Sequence, residues 1–210
     1  MSPKKILSTL EHSIKTILII AIACSAAGII VGIISLTDIG AKFTSLVLAL
    51  ASGKLFLALI LTMIVTIILG MGMNITPTYI LAASLAAPAL IRAGVQPMAA
   101  HMFIVYFAAM ATMTPPVAMA AYTAASIAKS DPMKVGFTAV KLGIVAYIIP
   151  FVFVYRPEIL LYGDIKHIIV SSIAILVGCY ALASGVNRRL FRKTSGYECI
   201  GLLVAAFMLF

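Results

Sequence analysis

Two short stretches of the chain gather the residues whose types and spacing suit chemistry. Gly70-Met71-Gly72-Met73-Asn74-Ile75-Thr76-Pro77-Thr78 and Thr112-Met113-Thr114-Pro115-Pro116 each combine helix breakers with side-chain oxygen. Gly70 and Gly72 permit a tight backbone, while Pro115 and Pro116 remove two backbone donors and push Thr114 out of the α region. Asn74, Thr76, Thr78, Thr112 and Thr114 carry the oxygen ligands that a hard cation takes. A break of this kind frees carbonyls and hydroxyls that can coordinate Na⁺, and turns a positive helix N-terminus toward an anion. No Asp or Glu falls in the surrounding apolar runs, which argues against a carboxylate proton relay and makes Na⁺ the simpler coupling ion.

The remaining reactive residues are scattered. His12, His101 and His167 are far apart, and Cys24, Cys179 and Cys199 lie in apolar runs without a close pair. Neither a disulfide framework nor a C-x-x-C metal site is available, and no catalytic motif occurs, so the chain does not read as an enzyme. His101 is an ionisable group in an apolar segment, with two readings: a site residue or an interhelix hydrogen bond. Tyr79, Tyr106 and Tyr122 are open to lining a pathway, with packing or interface anchoring the plainer role.

The elements that must hold these stretches are membrane helices. Of 210 residues 63% are apolar and 10% charged, against roughly 45–50% and about 25% in soluble proteins. Fifteen Lys and Arg against six Asp and Glu give a formal charge of +9, but they punctuate apolar runs and form no single basic face, so they report topology and not nucleic-acid binding. Residues 16–37 form an uncharged run long enough to cross about 30 Å of hydrocarbon, too long for the apolar core of a signal peptide. Phe43 to Gly53 is too short to span and suits an interfacial or connecting helix. Residues 55–91 carry no charge and are interrupted by the first breaker stretch, which predicts a re-entrant hairpin with two short arms. The second breaker stretch interrupts the uncharged run of residues 93–128, which predicts a discontinuous helix. A further span covers 142–158 with a kink expected at Pro150, and Ile168 to Asn187 gives a clean span. The chain stops at Phe210, twelve apolar residues from Cys199, which reads as truncated. The expected domains are residues 1–160, holding both breaks, and a membrane tail, 161–210. One break alone is compatible with a locally repaired kink, but two in adjacent segments point to a site.

The basic residues test the hairpin. If residues 55–91 enter and leave on one side, Lys4, Lys5, Lys15, Lys129, Lys134, Lys141, Arg188, Arg189, Arg192 and Lys193 are cytoplasmic. That leaves Lys42, Lys54, Arg92, Arg156 and Lys166 outside, ten against five. One crossing there gives six against nine, so the positive-inside rule favours an even number of passes. The cluster Arg188 to Lys193 reads as an inside anchor.

The stretch from Gly70 to Tyr155, GMGMNITPTYILAASLAAPALIRAGVQPMAAHMFIVYFAAMATMTPPVAMAAYTAASIAKSDPMKVGFTAVKLGIVAYIIPFVFVY, resembles the C-terminal half of the large permease subunit of TRAP transporters, the tripartite ATP-independent periplasmic family. It is closest to the fused form, whose extra C-terminal tail the spans from Ile168 onward resemble. The resemblance implies an all-α polytopic protein, half of an inverted-repeat elevator-type transporter. It further implies secondary active import of organic acids by sodium symport across the bacterial inner membrane, with Na⁺ as coupling ion and no other cofactor. Thr114-Pro115-Pro116 matches the family's T-P-P break, and Gly70 to Thr78 matches the second hairpin tip. On that match the ion and substrate candidates are Gly70, Gly72, Asn74, Thr76, Thr78, Thr112, Thr114, Pro115 and Pro116, with Na⁺ at Gly72, Asn74, Thr112 and Thr114. Implied partners are a periplasmic substrate-binding protein of the TAXI type, the lipid bilayer, and the first repeat, absent here, or another permease chain. A channel-like pore and a non-transporting membrane scaffold are the competing classes.

Overall fold

The computed structural model describes residues 3–187 and 196–209, so the cluster Arg188, Arg189, Arg192 and Lys193 lies outside the described residues. Among the described residues the chain is all helical, without strands. Large apolar side chains face outward along most of its length, Leu36, Leu176 and Phe207 being 89%, 70% and 82% exposed. A water-soluble monomer does not leave so much contiguous apolar surface open, whereas a lipid-facing one must.

Helix α1, Pro3–Leu36, begins thirteen residues before the expected span at 16–37 and is about 51 Å long at 1.5 Å per residue. It stops where Asp38 takes a left-handed conformation, φ 57°, and the chain turns through 77° into α2, Ile39–Ala51. That helix covers most of the stretch Phe43 to Gly53 that reads as a short interfacial or connecting helix, and it links α1 to the helix that follows. It starts earlier, and its Thr44, Val47 and Ala51 are buried against its neighbours. A face of small residues lets it approach other backbones closely, which is how helices gain packing energy in lipid.

The centre is a three-helix stack. Helix α3, Leu55–Gly70, and α4, Ile75–Arg92, run antiparallel. Ala58 and Leu59 at the start of α3 share a core with Ala89 and Leu90 at the end of α4, while Gly70 at the far end meets Thr78. Arm lengths of about 24 and 27 Å follow from 16 and 18 residues, and α4 alone is long and apolar enough to cross a membrane. After a turn at Gly94, φ 95°, α5 starts on Pro97 at its first position, where no donor is lost. Residues 93–96 are therefore turn, not the start of the discontinuous helix. Helix α5, Pro97–Ala111, places Ala99, Ala100, Phe103 and Phe107 in the core beside Ala58 and Leu59, and Ala111 beside Gly70. It therefore runs parallel to α3.

Beyond the second break follow α6, Met119–Ala128, and α7, Pro132–Leu142, whose first turn is capped by Asp131 accepting from the Lys134 N–H at 2.9 Å. Helix α8, Ile144–Tyr155, returns along α5: Phe151 meets Phe103 edge-on with ring centres 5.2 Å apart, and Phe153 meets Tyr106 likewise at 5.2 Å. The expected span at 142–158 is α8, which ends at Tyr155 before a 3₁₀ turn at Pro157–Leu160, and α7 leads into it through a 43° bend at Gly143. Pro150, where a kink was expected, lies inside α8 with its ring buried. At the bend, a Cβ on Gly143 would crowd Ala139 O at 3.1 Å and touch the Met113 methyl at 3.4 Å. Helix α9, Ile165–Asn187, is the second helix able to cross a membrane unaided. It packs on α10, Gly196–Leu209, at Gly185, where a Cβ would come 3.2 Å from Leu203. Ala181, Leu182 and Ala206 of this pair pack on Ile144, Val145 and Ile148 of α8.

Candidate functional site

Because α3 and α5 run parallel and α4 runs back between their ends, the hairpin tip and the end of α5 lie together. A Cβ on Gly70 would stand 2.5 Å from Ala111 Cβ and 3.0 Å from Thr78 Cγ2, so any side chain there collides with both neighbours. Gly72 has φ 80°, a left-handed conformation that glycine takes at little cost, and faces Val117 of the second break. The two stretches picked out by sequence thus adjoin in the fold.

The loops are irregular in complementary ways. At the tip, Met73 N–H bonds Gly70 O at 3.3 Å and Thr78 N–H bonds Asn74 O at 3.2 Å. Among the described residues the carbonyls of Met71, Gly72 and Met73 accept no backbone hydrogen bond. In the second loop Ala120 N–H reaches back to Thr112 O at 3.0 Å, closing residues 112–120 on themselves. The carbonyls of Met113, Thr114 and Pro115 accept no backbone bond among the described residues. Free carbonyls at membrane depth are costly unless water, protein or an ion meets them.

Side-chain oxygens divide into two groups. Thr78 is fully buried and donates to Asn74 O at 2.8 Å, Thr112 donates to Ala109 O at 2.7 Å, and Thr114 donates to Met110 O at 2.6 Å. A threonine that gives its proton to its own helix keeps lone pairs for a cation. Asn74 and Thr76 are exposed at the tip. Asn74 lines a cavity of about 310 Å³ together with Gly72, Met73 and Pro77 of the tip and Ala23, Ala26 and Ala27 of α1. Thr76 does not line that cavity. Pro115 abuts α7, since a Cβ on Gly136 would lie 2.9 Å from its Cγ, and Pro116 O accepts from Tyr122 Oη. No Lys or Arg lines the cavity; Arg92 ends α4, 18 residues from the tip, and Lys129 caps the far end of α6.

Three residues outside the sequence-derived set belong beside it. Tyr147 on α8 sets its Oη 2.6 Å from Thr114 Oγ1. The signal for it was a phenol in the middle of an apolar helix, which must find a partner. Thr62 and Thr66 are fully buried on the same face of α3 as Gly70, and no hydrogen bond reaches their hydroxyls among the described residues. His101 bonds Tyr79 Oη through Nδ1 at 3.0 Å, joining α5 to α4, so of its two readings the interhelix bond is the one formed. Tyr106 packs on Phe153, and Tyr122 holds the second loop. Among the described residues no group of His, Cys, Asp and Glu could hold a metal ion.

An all-α chain with a lipid-compatible surface and two adjoining helix breaks, each with free oxygens, belongs to the class of polytopic membrane transport proteins. The family model described as Tripartite ATP-independent periplasmic transporter, DctM component, matches residues 1–168, and the chain belongs to that family. It is thus a TRAP-type secondary transporter permease component, as the sequence resemblance implied, and its family works in the membrane with a periplasmic binding protein. The match ends in the first turn of α9. No curated relative and no solved structure matches the chain.

Proposed function

We propose that the chain supplies one ion- and substrate-binding half of a Na⁺-driven importer of organic acids in the bacterial inner membrane, with residues 55–91 acting as a re-entrant hairpin. The observation that carries this reading is the meeting of the tip and the second loop at Gly70 and Ala111 and at Gly72 and Val117, two segments that each hold carbonyls without a backbone partner among the described residues. Oxygen from backbone and hydroxyl suits a monovalent or divalent hard cation, and the missing carboxylate favours the lower charge. The cavity beside Asn74 opens at the start of α4, whose first-turn N–H groups give an anion a positive field in a wall that has no Lys or Arg among the described residues. A second hairpin and break, from another permease segment or chain, would complete the site, and the TAXI class of binding protein would deliver the acid.

The test is uptake of a panel of carboxylates into proteoliposomes holding the complete transporter, with its binding protein, under an imposed Na⁺ gradient. Saturable uptake lost on replacing Na⁺ with choline is expected, falling at least tenfold in Thr114→Ala and in Gly72→Leu. Wild-type uptake in both variants would remove the assigned site, and unsaturable current without solute dependence would mean a pore.

A further inference from the structure

Three positions of the α7–α8 pair meet three consecutive residues of the second loop. A Cβ on Gly136 would lie 2.9 Å from Pro115 Cγ, one on Gly143 would lie 3.4 Å from Met113 Cε, and Tyr147 Oη lies 2.6 Å from Thr114 Oγ1. The two helices are bent by 43° across Gly143, and residues of both meet the loop.

Proton accounting gives the Tyr147 contact a direction. Met110 O can only accept, so Thr114 spends its single proton there, at 2.6 Å. The bond to Tyr147 must then run from the phenol O–H into Thr114 Oγ1. One lone pair of Thr114 is left, and its direction is fixed from both sides.

We propose that Gly136, Gly143 and Tyr147 are positioning residues that mould Met113 to Pro115 into a cation-binding shape, the Tyr147 hydroxyl aiming the last lone pair of Thr114. This rests on the reading of the loop as an ion site. The two are separated by measuring the thermal unfolding midpoint of the detergent-purified complete transporter, first in choline chloride and then across a NaCl titration. Wild type, Tyr147→Phe, Thr114→Val and the double variant form a cycle. Without Na⁺, the double variant is expected to be no less stable than the weaker single variant; additive losses overturn the clamp. With Na⁺, Tyr147→Phe is expected to raise the half-saturating concentration roughly three- to tenfold, the range that loss of one ordinary hydrogen bond gives. Gly136→Ala, which alters no hydrogen bond, is expected to raise it as well. An unchanged Na⁺ midpoint in either variant overturns the clamp. A wild-type transporter with no Na⁺ response overturns the ion reading, and the Na⁺-free cycle then decides the clamp by itself.

Discussion

At the scale of single residues, the breaker stretches announce themselves because Gly and Pro act on the backbone wherever they fall. Thr114 before two prolines is pushed from the helix by sterics that need no tertiary partner. Tyr147 is the opposite case: nothing within the run from Ile144 to Tyr155 points to Thr114, 33 residues away, until α8 packs on α5. Thr62 and Thr66 are similarly silent in sequence, since threonine in a membrane helix ordinarily bonds its own backbone. Here their hydroxyls are buried without a partner among the described residues. An unpartnered hydroxyl is a desolvation cost with no return, so Thr66→Val, nearly the same shape, is expected to leave the unfolding midpoint unchanged or higher. A loss of more than about 1 kcal/mol would instead show that a water or ion bonds that hydroxyl.

At the scale of elements, the sequence pattern located the helices better than their bends. Charge-free length and breakers placed α3 and the end of α4 within a residue or two, because hydrocarbon obliges the backbone to be helical wherever nothing interrupts it. Helix α4, however, starts at Ile75 and takes in the last four residues of the expected break. The bend at Gly143 and the burial of α2 escaped the same logic, since both depend on which neighbour fits a small-residue surface. The pairing of α4 with α5 through Tyr79 and His101 is likewise a tertiary choice. A double-variant cycle of Tyr79→Phe and His101→Leu, read as unfolding midpoints, is expected to give a coupling of about 0.6 kcal/mol, the usual size of an interhelix hydrogen bond in membrane proteins. No coupling would mean that the two side chains do not meet in the bilayer.

At the scale of the whole molecule, the distribution of basic residues makes a prediction that helix packing does not. With ten Lys and Arg on one side and five on the other, the loop at Asp131 faces the cytoplasm and the turn at Tyr162 faces the periplasm. Single cysteines at these positions, in a background with Cys24, Cys179 and Cys199 replaced, are expected to react with an impermeant maleimide from opposite sides of the membrane. Labelling of the Asp131 position from the periplasm and of the Tyr162 position from the cytoplasm would refute the even number of passes in residues 55–91.

Sequence alone determined that this chain lives in a membrane, where its helices are interrupted, and that oxygen accompanies the interruptions. These are local properties: hydropathy, Gly and Pro sterics and side-chain chemistry act through neighbouring residues. Only the tertiary structure decided that the interruptions adjoin. That follows from the parallel course of α3 and α5, with α4 returning between them, which sets Gly70 against Ala111 and Gly72 against Val117. In lipid, where apolar burial does not choose between partners, close packing of small residues makes that choice, and it is a property of surfaces that form only when helices meet.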